Sequence, residues 1–376
     1  MVFKYSGCEK IVMKILIIGP FPNPITGQSV ANETILEGLK ETSEVDYIDT
    51  NFYKELTDKT KQGKFDFNKI KITLKNCYSD CKKILENKYD VVYMTPGGTY
   101  LGFMRFAHYM ICSFFKKRKV ILHIHNGCFR RMYDSQSTLK RKSLDILLKK
   151  VNGVIVLGES LKSMFEGIIP KDKIYVCENG VQDDVVATKD EIKEKIERYK
   201  NDTKKRVLYL SNLMEEKGIL DLLKASEKFN DDEIEFNLAG AIEPSIKEKI
   251  EEYLKKYPKK IKYHGIVRGE QKKKLLLENY IFILPTYYSN EGQPISILEA
   301  YATGCAVITD ETIGGIRDIF KNNVNGVSVK NRDIDSIFNG INSISEGKYF
   351  EKNYKILIER YSSFLFVKRV KKNIMR

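Results

Sequence analysis

Two carboxylates and a helix start stand together in the second half of this 376-residue chain. A short apolar run, Ile281 to Leu284, stops at Pro285 and is followed by a polar loop that carries Glu291. Pro294 is predicted to be the first helical residue, because its fixed φ suits that position and its missing N–H would have no partner there. Glu299 then lies between one and two turns into the predicted helix.

The predicted helix start favours an anion. Free amides around residues 292–296 would point out of the carboxyl end of a strand, where negative charge is stabilised. Carboxylates beside such a site need hydroxyl groups or a cation as partners. Ile295, Leu298 and Ala302 follow at helical spacing and are predicted to bury one face. The stretch therefore predicts a site for a sugar phosphate.

Short apolar strands alternate with helical spans along both halves of the chain, which predicts α/β structure with two doubly wound, Rossmann-like parallel sheets. The predicted strands are residues 14–19, 45–48, 90–95, 119–125, 151–157, 173–177, 206–210, 235–238, 261–264, 281–284 and 306–309. A single helix is predicted across residues 99–115. Ligands in such sheets bind beyond the carboxyl ends of the strands, so two facing sheets would enclose a cleft.

The length of the chain fits two domains of ordinary size. The predicted domains are residues 1–182 and residues 203–355. A charged segment, residues 183–202, reads as an exposed helix between them. A basic C-terminal helix, residues 356–376, is predicted to pack back on the first domain.

Composition indicates an ordinary globular protein, with 42% hydrophobic residues. Its seven cysteines are scattered without zinc-site spacing, so we expect a reducing cytoplasm. The longest apolar segment, residues 101–115, contains Arg105 and His108 and is shorter than the roughly 20 residues that span a bilayer. No signal peptide is evident, and Met13 resembles a natural start, which would make residues 1–12 a dispensable extension.

The net charge of +14 is concentrated in two stretches. Residues 101–150 contain twelve Lys or Arg and two Asp, and residues 366–376 contain five basic residues and no acid. Two explanations stay open: an anionic partner such as a phospholipid surface, a polyprenyl phosphate or nucleic acid, and ordinary solvated helix faces. We expect peripheral contact with an anionic membrane surface at the inner face of the cell membrane, and no nucleic acid partner.

The stretch with the two carboxylates resembles the retaining GT-B glycosyltransferases of family 4. The signature of that family, E-G-x-P-x-x-x-L-E-A, stands here as Glu291-Gly-Gln-Pro-Ile-Ser-Ile-Leu-Glu299-Ala300. Residues 303–310, Gly314-Gly315-Ile and Asn325-Gly326 match as well. The resemblance covers nearly the whole chain. It implies two Rossmann-like domains facing across a cleft, of which residues 1–182 would bind the acceptor and residues 203–355 the donor. It also implies transfer of a sugar from a nucleotide-sugar donor.

The resemblance assigns roles in the second domain. Glu291 would hold the hydroxyl groups of the donor sugar and Glu299 the ribose. The residues of the helix start would line the donor sugar and phosphates: Gly292, Gln293, Pro294 and Ile295. Lys217, before Gly218, matches the basic residue that neutralises the diphosphate and stabilises the leaving group. Asn212 stands where the family often has arginine and brings no charge.

Further positions match around the proposed donor. His125, at a strand end, matches a histidine that contacts the donor sugar, although a lone histidine on an apolar strand is more often a packed core residue. Alternation places His123 on the same face. His264-Gly265-Ile266 resembles the H-G motif near the base. Gly27 and Gln28 match the glycine loop at which acceptor and diphosphate approach closely.

The expected reaction needs no metal and no cofactor besides the nucleotide sugar. The chain has no Asp-x-Asp in a metal-site context, so Lys217 and helix N-termini would replace a cation. A UDP-sugar is the favoured donor, and a saccharide or lipid-linked saccharide of a cell-surface polysaccharide is the expected acceptor. Asn179-Gly180 fits the hinge between the domains. Two other classes stay open: a nucleotide-sugar epimerase or hydrolase, and a non-catalytic protein that binds anionic polymers.

Overall fold

A computed structural model describes residues 13–23, 26–51, 67–344 and 347–376, so the predicted extension 1–12 lies outside the described residues. The chain divides into two compact units. The N-terminal unit comprises the chain up to Val156, Lys162–Cys177 and Val367–Arg376. The C-terminal unit comprises Leu157–Leu161 and Glu178–Phe366.

The N-terminal unit contains a six-stranded parallel sheet in the order β2-β1-β3-β4-β5-β6. Its strands are β1 (Lys14–Gly19), β2 (Glu44–Asp49), β3 (Val91–Met94), β4 (Lys119–Ile124), β5 (Gly153–Val156) and β6 (Ile174–Val176). Its helices are α1 (Gly27–Lys40), α2 (Phe67–Glu86), α3 (Tyr100–Met104), α4 (Ala107–Phe115), α5 (Phe129–Asp134) and α6 (Thr138–Leu148). Four of the strands are buried almost throughout, which explains their continuous apolar sequences.

The C-terminal unit contains a second six-stranded parallel sheet, in the order β12-β11-β10-β7-β8-β9. Its strands are β7 (Lys205–Leu210), β8 (Ile234–Ala239), β9 (Ile261–Tyr263), β10 (Ile281–Leu284), β11 (Ala306–Thr309) and β12 (Gly326–Ser328). Its helices are α7 (Lys189–Asn201), α8 (Ile219–Ser226), α9 (Lys247–Lys256), α10 (Gly269–Glu278), α11 (Ile295–Ala302), α12 (Ile316–Ile319), α13 (Ile334–Ser343) and α14 (Phe350–Ile356). The predicted class, two parallel α/β sheets, is confirmed. Strand β12 was not predicted, because Asn325-Gly326 reads as a turn.

The charged segment 183–202 differs from the prediction of an exposed helix between domains. Its helix, α7, lies within the C-terminal unit and is capped by a Thr188–Glu191 capping box. Lys195 is fully buried, and its Nζ donates hydrogen bonds to the carbonyls of Leu276 and Thr303, both at 2.9 Å. A buried lysine whose protons reach backbone carbonyls ties the helix to the unit. Because the sequence of α7 is highly charged, it does not indicate that Lys195 is buried.

The helix predicted across residues 99–115 is two helices, α3 and α4, separated at Arg105 and Phe106. A last helix, α15 (Ser363–Met375), follows a π-helical turn at Leu357–Tyr361. Its residues from Val367 onward belong to the N-terminal unit. There Lys371 Nζ donates to Thr42 Oγ1 at 2.8 Å, and Asn373 Nδ2 donates to the Val176 carbonyl at 3.0 Å. None of the helices in the described ranges has the length and apolar character needed to span a bilayer.

Candidate functional site

The strand order of the C-terminal unit changes direction between β7 and β10, which are paired in parallel. Ligands of open α/β sheets bind beyond the carboxyl ends of the strands at such a switch point. Asn212 and Lys217 follow β7, and Glu291 follows β10. The adjacent strands therefore bring Lys217 and Glu291 together although they are 74 positions apart in the sequence.

Lys217 and Glu291 form a direct ion pair between Nζ and Oε2. Their side chains are only 14% and 8% exposed. Thr286 Oγ1 lies 3.5 Å from the same carboxylate oxygen, and Lys217 Nζ lies 4.9 Å from the centroid of the Tyr288 ring. The two residues that the resemblance assigns to different parts of a donor neutralise each other in this structure.

The backbone around Lys217 is held by β7 and β10. Gly218 has φ +78°, and a Cβ there would lie 2.2 Å from the carbonyl oxygen of Pro285. The Tyr209 hydroxyl donates to the carbonyls of Asn212, at 3.1 Å, and Lys217, at 3.3 Å. Burial, with a smaller contribution from the Glu291 charge, raises the pKa of Tyr209. Asn212 is exposed, and its carbonyl is the group that supports this turn.

The helix start differs by one residue from the prediction. Helix α11 begins at Ile295, and Pro294 precedes it with φ −68° and an extended ψ of 115°. The first amides of a helix have no acceptor within it, and those of Ile295 and Ser296 occupy these positions. Ile295 is half-buried, whereas all residues from Ile297 to Ala302 are buried. The predicted single buried face was therefore wrong, because the helix lies in the core on nearly every side.

Glu299, in this helix, is paired with a lysine that the sequence did not single out. Lys272 Nζ, on α10, lies 2.5 Å from Glu299 Oε1, and both side chains are largely buried. Each carboxylate of the predicted motif therefore has its own lysine partner. Lys272 stands in a run of three lysines, residues 272–274, and the run alone does not indicate which one turns inward.

Both polar atoms of the Gln293 side chain form hydrogen bonds within the C-terminal unit. Its Oε1 accepts from the Asn179 amide at 2.6 Å, and its Nε2 donates to the Leu157 carbonyl at 3.0 Å. Asn179 Nδ2 in turn donates to the Gln293 carbonyl at 3.1 Å. The Asn179-Gly180 pair predicted as a hinge lies just inside this unit, which begins at Glu178.

Two glycines support the loop that carries Glu291. Gly314 has φ +49°, and a Cβ there would lie 2.1 Å from the carbonyl oxygen of Glu291. The Gly315 amide donates to the Gly292 carbonyl at 2.7 Å, and a Cβ at Gly315 would lie 2.6 Å from the same oxygen. Gly314 and Gly315 therefore hold the loop that carries Glu291 in position by direct backbone contact.

We expect Gly314→Ala to displace this loop. Gly167→Ala is the matched control, because Gly167 has φ +75° and nothing lies within 4 Å of its added Cβ. Both variants carry the cost of a positive φ, about 1 kcal/mol. Only Gly314→Ala also moves Glu291, so its activity is expected to fall about 10- to 100-fold. Steady-state kinetics and thermal unfolding of both variants test this; equal activity in the two would contradict the supporting role of Gly314.

His125 follows the end of β4 in the N-terminal unit. Its ring centroid lies 4.1 Å from that of His123, which confirms that the two side chains share a face. The Tyr93 hydroxyl lies 2.5 Å from His123 Nδ1. Burial lowers the pKa of His125 to about 3, and burial together with the neighbouring His125 holds the pKa of His123 well below its usual range. Among the described residues His125 Nε2 has no hydrogen-bond partner. A neutral ring of this kind can donate a hydrogen bond but is a poor base.

Gly27 and Gln28 do not form the predicted glycine loop. Gly27 is the first residue of α1, and Thr26 caps the helix in a reciprocal capping box with Ser29. Gln28 Nε2 donates to the Thr95 carbonyl at 2.6 Å, which ties the helix start to the end of β3. The spacing of Thr26 and Ser29, T-x-x-S, is that of a capping box with serine in place of the usual Glu or Gln, and could have indicated this cap in the sequence. Both residues still lie at the switch point between β1 and β3.

His264 and Ile266 follow β9. His264 Nε2 lies 2.6 Å from Asn237 Oδ1, and burial lowers the pKa of His264. The Gly265 carbonyl accepts from the Gly240 amide at 2.8 Å. Ile266 is exposed, so its side chain faces solvent beyond the strand end. In the described parts of the chain no group of three His, Cys, Asp or Glu side chains could hold a metal ion.

Comparison with known proteins shows what the chain is similar to. Residues 189–361 match the family model described as glycosyl transferases group 1. An uncharacterized glycosyltransferase of Methanocaldococcus jannaschii is 28% identical over 200 residues, which is 51% of this chain and 50% of that protein. The UDP-Gal:α-D-GlcNAc-diphosphoundecaprenol α-1,3-galactosyltransferase of Escherichia coli is 34% identical over 101 residues, 26% of this chain and 25% of that protein. The matched stretches thus span half or less of these relatives.

Solved structures match over a longer range. The Anabaena protein HepE in complex with UDP has a TM-score of 0.73 and 16% identity, and the match covers 96% of this chain and 100% of that one. At this identity the likeness concerns the fold, and it confirms the predicted GT-B architecture.

Proposed function

We propose that this protein, whose residues 189–361 match the model of the glycosyl transferases group 1 family, transfers a sugar from a nucleotide-sugar donor to a saccharide acceptor. The observation that carries the proposal is the Lys217–Glu291 pair at the switch point, just before the start of α11. A departing nucleotide diphosphate gains negative charge. The positive charge of Lys217 and the N–H groups of Ile295 and Ser296 would stabilise that charge.

Donor binding would separate the Lys217–Glu291 ion pair, and each of the two residues would then contact a different part of the donor. Lys217 would exchange its carboxylate partner for a phosphate oxygen, and the Glu291 oxygens would then accept hydrogen bonds from sugar hydroxyls. Glu299 would accept hydrogen bonds from the ribose, with Lys272 holding its carboxylate in place. Neutral His125 would donate a hydrogen bond to the sugar.

We further propose that the donor is a UDP-sugar. HepE, which shares the fold, is bound to UDP, and the E. coli relative is named for UDP-Gal. The acceptor we propose is a saccharide or lipid-linked saccharide of a cell-surface polysaccharide. That relative is named for a diphosphoundecaprenol-linked sugar. The enzyme would act at the inner face of the cell membrane, in peripheral contact with it.

The proposed reaction retains the anomeric configuration and uses no metal ion. The acceptor hydroxyl attacks the sugar on the face from which the diphosphate leaves, a glycosidic bond replaces the sugar–phosphate bond, and the leaving phosphate takes the hydroxyl proton. Lys217 and the α11 amides would supply the positive charge that a metal ion supplies elsewhere.

Thermal shift with UDP-, GDP- and ADP-sugars tests the donor. A ligand at 100 times its Kd stabilises a protein by roughly 2.7 kcal/mol, so the true donor should raise the Tm most. Donor consumption is then measured with and without a lipid-linked saccharide. Turnover that needs no acceptor would indicate an epimerase or hydrolase instead. Failure of every nucleotide sugar to shift the Tm would refute the proposal.

A further inference from the structure

The N-terminal unit exposes apolar side chains where its basic residues are concentrated. Five of the twelve exposed large apolar side chains in the described part of the chain lie between residues 101 and 150, each 54–80% exposed. They are Leu101 on α3, Ile111 and Phe115 on α4, and Leu139 and Ile146 on α6. Apolar side chains that cluster in this way on a surface indicate a contact with something apolar.

These side chains are additional to the buried faces of their helices. Helix α4 buries Tyr109, Met110 and Ser113, and its exposed Ile111 and Phe115 are one turn apart on another face. Helix α6 buries Leu144, Leu147 and Leu148, whereas Leu139, Lys142, Ile146 and Lys149 follow at helical spacing on an exposed face. The core therefore does not use the exposed apolar side chains.

Specific contacts place α3, α4 and α6 side by side. The Tyr100 hydroxyl, on α3, lies 3.1 Å from Ser143 Oγ on α6, and Lys140 Nζ lies 5.1 Å from the centroid of the Tyr100 ring. Lys150 Nζ, just after α6, lies 6.0 Å from the centroid of the Phe114 ring on α4. Helices α4 and α6 also pack against each other. We call the surface formed by α3, α4, α6 and their flanking lysines the apolar–basic face.

The basic residues of this face are available to a partner. Within the residues that the structure describes, none of them forms an ion pair with an acidic side chain: Arg105, Lys116, Lys117, Lys140, Lys142, Lys149 and Lys150. A free anion or nucleic acid would account for the charges but not for the exposed Phe115 and Leu139. A partner that offers negative charge at its surface and hydrocarbon below it accounts for both.

We propose that the apolar–basic face docks on the surface of an anionic phospholipid bilayer, with Phe115, Leu139 and their apolar neighbours inserted among the acyl chains. The lysines around them contact lipid phosphates. This mode is interfacial, because the helices lie on the membrane and do not cross it. The proposal concerns the N-terminal unit alone and does not depend on the proposed sugar transfer.

Binding to vesicles tests the face. The full-length protein is expected to sediment with vesicles of mixed phosphatidylglycerol and phosphatidylcholine and much less with phosphatidylcholine alone. Phe115→Ser with Leu139→Ser should weaken binding about tenfold or more, at low and high salt. Lys142→Gln with Lys149→Gln should weaken it about fivefold per lysine at low salt only. Phe364→Ser, at a 62% exposed residue of α15, and Lys249→Gln with Lys255→Gln on α9 are the matched controls.

Insertion can be seen directly, because the chain contains no tryptophan. The Phe115→Trp variant should show a blue-shifted emission on anionic vesicles and quenching by brominated acyl chains, whereas Phe364→Trp should show neither. The Glu291→Gln variant, in which sugar transfer is expected to fall, should bind vesicles as the unaltered protein does, which separates this proposal from the proposed transfer. Absence of vesicle binding, unchanged Phe115→Trp emission, or preferential binding of oligonucleotides over vesicles would each overturn the proposal.

Discussion

Glu291→Gln is expected to reduce sugar transfer about 10²- to 10³-fold and, at the same time, to tighten the binding of UDP. The loss in transfer has the size seen when one group that stabilises a transition state is removed. The gain in UDP binding follows from the ion pair, since Lys217 is neutralised by Glu291 in this structure. Without the Glu291 carboxylate, the Lys217 ammonium group is free to bind the diphosphate. We expect the Kd for UDP to fall about five- to tenfold.

Calorimetric titration with UDP and steady-state transfer assays measure the two effects. Glu191→Gln is the control, because Glu191 is also paired with a lysine of the C-terminal unit, Lys273, at 2.9 Å. It should leave UDP binding and transfer unchanged. Transfer at the normal rate by Glu291→Gln would remove Glu291 from the donor site. Weaker UDP binding would show that the pair does not mask Lys217.

Lys217→Gln is expected to lower sugar transfer several hundred-fold. It is also expected to weaken UDP binding, whereas Glu291→Gln should tighten it. Lys217 supplies the positive charge of this turn, since the neighbouring Asn212 is uncharged. Without Lys217, only the helix amides would stabilise the departing diphosphate. The same two assays apply, with Lys273→Gln as the control. An effect on UDP binding no larger than that of Lys273→Gln would count against Lys217 as the phosphate ligand.

The double variant Lys217→Gln/Glu291→Gln completes a double-mutant cycle. Two residues in direct contact do not act additively, so its UDP affinity should differ from the sum of the two single changes. With Lys217 already gone, removal of Glu291 should no longer tighten UDP binding by the same factor. Additive effects would mean that the ion pair has no influence on the nucleotide.

Sequence reasoning succeeded where one continuous stretch carries the information. The strands of both sheets are three to six residues long and most are apolar, and their alternation with helices was enough to predict two parallel α/β sheets. It was less successful where a residue in a local pattern finds a distant partner. Lys195 lies in one of the most charged segments of the chain and is fully buried. Gln293 lies inside the motif, but its side chain binds Leu157 and Asn179.

The sequence by itself determined the chemistry of the candidate site: two carboxylates with seven residues between them, a proline before a helix, and a lysine before a glycine. These are local features, whose spacing along the chain sets which groups can face one ligand. Only the tertiary structure decided how the groups are used. It pairs Glu291 with Lys217 and Glu299 with Lys272, across 74 and 27 positions of sequence. The physical reason for the Glu291–Lys217 pair is strand order, because β10 lies beside β7 in the sheet, and no local spacing encodes which strands become neighbours.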